Sequence, residues 1–267
     1  MSALAPPSAA LRFEGVTLSR GGAGILSGID LELRRGEVLG LVGRNGAGKT
    51  TLLRLASGVL KPDAGRIRVG DDEVGALGRR ERARRIAVVP QDTSIPFAFR
   101  VFEVVLMGRA PHLGPLGFET REDLERAQVA LEQVGVAALA ERSVLTLSGG
   151  ERQLVVVARA LAQDAPLLLL DEATAFLDLR HRVHVLALAR RHAREPGRAA
   201  LVVSHDLALA ARACDRLALL AEGRILAVGT PSEVLSAERV ERAFGLPVQV
   251  VPGPDGAPLV VPATSER

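Results

Sequence analysis

The stretch Gly43-Arg44-Asn45-Gly46-Ala47-Gly48-Lys49-Thr50 decides how this chain is read: a glycine, four residues, then Gly-Lys-Thr. Before it, Glu37-Val38-Leu39-Gly40-Leu41-Val42 reads as a buried strand. After it, Thr51-Leu52-Leu53-Arg54-Leu55-Ala56 reads as the first turns of a helix. Between a strand and a helix, this pattern is a phosphate-cradling loop. Glycine lets the backbone turn several N–H groups onto one anion, and the helix N-terminus adds about half a positive charge. Lys49 can then reach the β- and γ-phosphates of a nucleotide, and the Thr50 hydroxyl can sit on Mg²⁺. The alternative is a glycine-rich turn that only caps a helix, and the flanking strand and helix weigh against it. Lys49 is one of two lysines, with Lys61; every other cation is arginine. A lysine is thus kept where a compact ammonium suits phosphates better than a planar fork.

The bulk composition fits a soluble globular protein. The chain has 267 residues, 48% hydrophobic and 24% charged, enough for one large domain or two lobes. There is no Trp or Tyr and there are seven Phe, which argues against an aromatic platform for single-stranded nucleic acid. Net charge is +3, and the arginines are interspersed with acids. Gly78-Arg79-Arg80-Glu81-Arg82-Ala83-Arg84-Arg85 therefore reads as a solvated helix face, so no nucleic-acid partner is expected. The single cysteine, Cys214, allows no internal disulfide and reads as a small core residue in a reducing compartment. No apolar run approaches the roughly 18 uncharged residues of a membrane helix. Met1 to Ala10 lacks the charged and apolar regions of a signal peptide and is expected to be disordered.

Leu11 to Leu33 alternates and carries turn glycines, which predicts two or three antiparallel strands. Pro62-Asp63-Ala64-Gly65 turns into the strand Arg66–Val69, and Ile86–Val89 is a buried strand ending at Pro90-Gln91. From Asp92 to about Leu145 the spacing becomes helical, with Val101 to Met107 and Arg121 to Gln133 separated by a loop at Gly114, Pro115 and Gly117. Gly149 to Ala162 is helical. Then α/β alternation resumes: strand Leu167–Leu170, helix Leu179–Arg194, strand Ala200–Val203, helix Leu207–Ala213, and a strand pair around Glu222-Gly223. This order predicts an α/β fold with a mainly parallel sheet. Val248–Val251 and Leu259–Val261 flank a Pro/Gly turn and predict a terminal hairpin.

Three strand ends carry polar groups, and ligands of parallel sheets bind at such ends. Leu167–Leu170 runs into Asp171-Glu172. Asp171 can hold the shell of Mg²⁺, and Glu172 is placed to take a proton from water attacking a γ-phosphate. Ala200–Val203 runs into Ser204-His205-Asp206, where His205 could touch the γ-phosphate. Gln91 can ligate Mg²⁺ or orient water. The remaining histidines, His112, His181, His184 and His192, have no such placement. Leu147-Ser148-Gly149-Gly150-Glu151 is a second anion-type helix start. One compact site rarely needs two, so the economical arrangement pairs two copies head to tail, each offering Ser148-Gly149-Gly150 to the nucleotide on the other's loop.

Taken in order, the P-loop, Gln91, Leu147-Ser148-Gly149-Gly150-Glu151, Asp171-Glu172, Asp178 and His205 resemble the ATP-binding subunit of ABC transporters, from Leu11 to about Val261. The resemblance implies a P-loop NTPase core with a mainly parallel sheet, an antiparallel β subdomain and an inserted α-helical subdomain at about 92–165. It places the ATPase domain at about 11–240 and a tail at 241–267. It implies an ATP-sandwich homodimer with Mg²⁺, and ATP contacts from 43–50, Thr51 and Arg20. Ser148, Gly149, Gly150 and Glu151 would act in trans. Glu172 is then the base, His205 the γ-phosphate sensor, and Thr50, Gln91 and Asp171 the metal ligands. Gln91 is also the link to the membrane subunit. Ala175-Phe176-Leu177-Asp178 becomes the loop crossing the dimer.

Within the family, Ile95-Pro96-Phe97, Val101 to Met107, Gly108-Arg109-Ala110-Pro111-His112 and the tail Gly256 to Pro262 look most similar to importers of metal chelates: ferric siderophores, haem or cobalamin. That implies a membrane permease, an indirect periplasmic binding protein, and a peripheral place on the cytoplasmic face of the inner membrane. Arg20 stands where the family usually has an aromatic, Ala173 where it has proline, and Leu154 where it often has arginine. A non-transport ABC ATPase usually carries two cassettes or a long coiled-coil insertion, and this chain has neither. A regulatory module without hydrolysis would not need Glu172 and His205, and a GTPase would need an Asn-Lys-x-Asp motif that is missing.

Overall fold

A computed structural model of the protein describes residues 9–114, 117–175 and 177–263. Pro115, Phe176 and most of the N-terminal segment expected to be disordered lie outside them. Ala9 and Ala10 are already in strand, so the first element starts two residues earlier than Leu11.

Among the described residues, three sheets organise the chain. β1 (Ala9–Arg20), β2 (Ala23–Arg34), β4 (Ala64–Val69) and β5 (Asp72–Glu73) form an antiparallel sheet in the order β2-β1-β4-β5. The central sheet has the order β10-β9-β3-β8-β7-β6. Its members are β3 (Val38–Val42), β6 (Ile86–Val89), β7 (Leu167–Asp171), β8 (Ala199–Ser204), β9 (Arg216–Ala221) and β10 (Arg224–Gly229). β9, β3, β8, β7 and β6 run parallel, and only β10 is antiparallel. The terminal hairpin is present as β11 (Val248–Pro252) and β12 (Pro258–Pro262).

The central strands are near-continuous apolar runs because both faces are covered. Successive side chains point to opposite faces. Leu39, Leu41, Leu167, Leu169, Leu201 and Val203 join a core shared with the antiparallel sheet and α1 (Lys49–Ala56). Val38, Val42, Leu168, Leu170, Ala200 and Val202 join a second core under the helices.

Between β6 and β7 sit α3 (Val101–Leu106), α4 (Arg121–Val134) and α5 (Gly149–Ala162), with α2 (Arg79–Arg85) lying before β6. None of the α2 residues is buried, as its charge pattern predicts. A short 3-10 turn, Met107–Arg109, ties the insert together. Buried Arg109 donates from Nε to Asp123 Oδ1 at 2.9 Å and from Nη1 to the Ala162 carbonyl at 2.9 Å. Burial alone would raise the Asp123 carboxyl, but hydrogen bonds from Thr120 and Arg109 outweigh it and hold it at about 2. Gly108 is required by packing: a Cβ there would lie 2.3 Å from the Arg159 carbonyl oxygen.

On the same face of the sheet as the insert are α6 (Leu179–Arg194) and α7 (Leu207–Ala213), followed by α8 (Pro231–Val234) and α9 (Ala237–Phe244), all packed on the one core. Cys214 ends α7 and is buried, its thiol pushed up to about 12 by burial.

Candidate nucleotide site

The carboxyl ends of β3, β8, β7 and β6 lie side by side, which puts the 43–50 loop, His205, Asp171-Glu172 and Gln91 at one sheet edge. Gly43 leaves β3 at φ 156°, and a Cβ would stand 2.1 Å from the Leu220 carbonyl oxygen. Gly48 caps α1 at φ 107°; the cap makes no side-chain hydrogen bond and the first turn holds no acid. The amide end of α1 is therefore open to an anion.

Lys49 is 5% exposed and donates from Nζ to the Gly43 and Arg44 carbonyls at 2.8 and 3.0 Å. Its Nζ is 4.0 Å from Glu172 Oε1. Burial lowers its pKa, while Glu172 and Asp171 oppose that shift. One residue on, Thr50 donates from Oγ1 to Asp171 Oδ1 at 3.1 Å. Burial raises the Asp171 carboxyl and the Glu172 charge adds to it; the Thr50 hydrogen bond, Arg54 and Lys49 pull the other way.

Glu172 follows β7 at φ 48°, a left-handed backbone that a non-glycine residue rarely adopts. Its N–H donates to the Val203 carbonyl at 3.2 Å, tying the bend to the neighbouring strand. Gln91 Nε2 donates to Glu172 Oε2 at 3.1 Å, and His205 Nδ1 lies 3.7 Å from the same oxygen. His205 is held between β8 and α7 because Asp206 caps the helix, accepting from Leu209 N at 3.0 Å. Lys49, Thr50, Gln91, Asp171, Glu172 and His205 thus form one cluster.

Other residues singled out by the sequence stand apart from it. Arg44, Asn45 and Gly46 form the exposed shoulder of the loop, Ala47 is buried, Thr51 lies in α1, and Arg20 is an exposed strand end. Ser148 opens α5 with a reciprocal cap: its N–H and Oγ donate to Glu151 Oε2, each at 2.8 Å, and Glu151 N donates back to Oγ at 3.2 Å. Among the described residues, the hydrogen bonds of 148–151 stay within this helix start. Asp178 caps α6, accepting from His181 N at 2.9 Å. His112 and His184 bond the carbonyls of Gln163 and Gln133 at 2.8 Å, while His192 is buried.

Two contributors escaped the sequence reading. Arg54 lowers Asp171, and its i, i+4 spacing from Thr50 on α1 was the signal for it. The left-handed bend at Glu172 has no such signal, because glutamate is not a residue that announces one.

The donors beside the loop suit Mg²⁺. The Thr50 hydroxyl, the Asp171 carboxylate and the Gln91 amide are hard oxygen ligands, and the first two already share a hydrogen bond. Among the described residues, no group of three or more His, Cys, Asp or Glu could hold a metal alone. Mg²⁺ usually keeps several waters and takes phosphate oxygens rather than filling a protein cage.

A family model described as ABC transporter matches residues 26–175. A hemin import ATP-binding protein of Gloeobacter violaceus is 47% identical over 263 residues, 96% of this chain and 94% of that protein. An inward-facing structure of a transporter assigned to the metal-chelate type is 30% identical with a TM-score of 0.83, over 97% of this chain and 99% of that one. A dimeric ATP-binding cassette in a post-hydrolysis state, bound to ADP and Pi, is 26% identical with a TM-score of 0.74, over 82% of this chain and 98% of that one.

Proposed function

The chain belongs to the ABC transporter family as an ATP-binding, ATP-hydrolysing subunit, and from that premise we propose that two copies, paired head to tail, couple hydrolysis to import of a metal chelate. The chelate class is taken from the hemin importer and the metal-chelate transporter to which the chain is similar, with haem foremost. The observation that carries the catalytic assignment is the surroundings of Glu172. Its carboxylate has Lys49, Gln91 and His205 within 4.0 Å, and it stands next to the Thr50–Asp171 pair.

The phosphates of ATP lie on the 43–50 loop and the open end of α1, with the Lys49 ammonium on the β- and γ-phosphates. Glu172 and Gln91 orient a water in line with the γ-phosphorus. The new P–O bond forms from that water, the bond to the β–γ bridging oxygen breaks, and Glu172 takes the water proton. ADP and phosphate result. His205 donates to the γ-phosphate. Ser148 and the Gly149-Gly150 amides of the second copy close the other side and stabilise the developing charge. Thr50, Asp171 and Gln91 are the residues that would hold Mg²⁺, which would supply charge neutralisation on the phosphates.

No helix among the described residues is long and apolar enough to cross a membrane. In the proposed reading the subunit works peripherally, at the cytoplasmic face, through a permease fed by a substrate-binding protein.

The test is Glu172→Gln beside wild type. The variant keeps ATP binding and loses hydrolysis by about a hundredfold or more, the usual scale for a missing general base. Undiminished hydrolysis removes Glu172 from that role.

A further inference from the structure

The insert returns to the central sheet through one joint. α5 ends at Ala162, and Gln163, Asp164, Ala165 and Pro166 lead into β7. The two ends of this segment carry different parts of the chemistry: Ser148 at the start of α5, Asp171-Glu172 at the end of β7. The angle at the joint therefore sets where Ser148 stands relative to its own sheet.

Asp164 sits in that joint at φ 55°, one of three non-glycine residues with positive φ among those described. Its carboxylate is shared between two bodies. Arg126 of α4, inside the insert, donates from Nη1 to Oδ2 at 3.0 Å. Arg198, just before β8 on the sheet side, donates from Nη2 to Oδ1 at 2.7 Å. Arg198 is itself fixed by Glu195 at the end of α6, at 2.8 Å. Neighbouring bonds close the rest of the joint: Gln163 donates from Nε2 to the Ile86 carbonyl at 2.8 Å, and Pro166 accepts from Ala199 N at 3.0 Å.

Leverage gives this joint its weight. With 14 residues, α5 is about 21 Å long at 1.5 Å per residue. A tilt of about 5° at its base moves the far end by about 2 Å at that length. A misplacement of about 1 Å in a catalytic group can cost about a hundredfold in rate.

We propose that Asp164 is a positioning residue for hydrolysis: clamped by Arg126 and Arg198, it fixes the angle at which α5 presents Ser148 to the partner copy. This inference rests on the reading that Ser148 completes the site across the dimer. The Asp164 carboxylate is held by Arg126 and Arg198 and lies outside the Lys49–Glu172–His205 cluster, so its effect passes through the direction of α5.

The experiment follows ATP hydrolysis at saturating Mg-ATP against protein concentration, with binding of a fluorescent ATP analogue measured on the same samples. Wild type is set beside Asp164→Asn and Arg126→Ala. Asparagine tolerates the left-handed backbone and keeps an acceptor oxygen but loses the charge. Arg126 is half-exposed, so its loss tests the clamp even where the asparagine variant folds poorly. Both variants should bind the analogue as wild type does. Hydrolysis should fall roughly tenfold at a fixed low concentration, and more protein should be needed for half the maximal rate. The double variant should be no worse than the poorer single one, since both remove the same clamp. Wild-type concentration curves in both variants overturn the inference, as does analogue binding lost in step with hydrolysis. A wild-type rate per chain that is constant down to nanomolar protein, with the nucleotide-bound chain monomeric, fails instead at the shared-site reading on which the inference stands.

Discussion

Single residues at this site are held by constraints that reach far along the chain. Gly43 is legible as part of a phosphate loop, yet what forbids any other residue is the Leu220 carbonyl, 2.1 Å from where a Cβ would be. Nothing near Gly43 in sequence reveals that contact. Gly43→Ala meets backbone on β9 and must displace it, so it should lower stability by about 3 kcal/mol and abolish ATP-analogue binding. Urea unfolding with an unchanged m-value checks the first effect. An alanine variant as stable as wild type would show that the loop can move away from β9.

Glu172 is the converse case. Its identity and place after Leu167–Leu170 were readable, its left-handed backbone was not, and the bend aims its carboxylate toward Gln91 and His205. Asp171→Asn, which keeps the shape and removes the charge beside Thr50, should leave ATP binding without Mg²⁺ unchanged and erase the gain in affinity that Mg²⁺ gives. An unaltered Mg²⁺ dependence would take Asp171 out of the cation site.

At the scale of elements, the helices with polar starts were the most legible. α5, α6 and α7 span Gly149–Ala162, Leu179–Arg194 and Leu207–Ala213, as the sequence predicts. Ser148, Asp178 and Asp206 each cap a helix by accepting a backbone N–H, so the boundary is written in the residue type. The first hairpin was less legible, because register shifts along β1 and β2 interrupt the alternation that would mark two long strands. The joint at Asp164 was not legible at all: it depends on Arg126 and Arg198, which only the fold brings together.

Helix α6 carries a pH dependence of its own. His192 lies in its last turn, where a helix favours a cation. Burial wins, with Arg198 adding to it, and the imidazole is pushed down to about 4. Between that value and its ordinary 6.5, the unfolded chain binds a proton that the folded chain refuses. Stability therefore rises with pH across this window, by about 3 kcal/mol in all, and the contribution levels off on either side of it. His192→Gln should flatten that slope in urea unfolding series between pH 4 and 6.5. A slope unchanged in the variant would mean that other groups produce it.

For the whole molecule, the layered α/β architecture was legible because both faces of the central sheet are covered and its strands read as unbroken apolar runs. The head-to-tail dimer came from a different argument, that one chain carries two anion-binding helix starts. The structure keeps those two starts on separate elements: the 43–50 loop leads from β3 into α1 on one core, and Ser148 opens α5 on the other. Within a single chain the cluster consists of Lys49, Thr50, Gln91, Asp171, Glu172 and His205, and the proposed dimer adds the second copy's Ser148 on the other side of the nucleotide. The most direct measurement is sedimentation of the Glu172→Gln chain with and without Mg-ATP, alone and combined with Ser148→Arg. Trapped ATP should convert the single variant from monomer to dimer, and the arginine should keep the double variant monomeric while ATP still binds. A single variant that stays monomeric at saturating Mg-ATP, or a double variant that dimerises as readily, would contradict a site built from two chains.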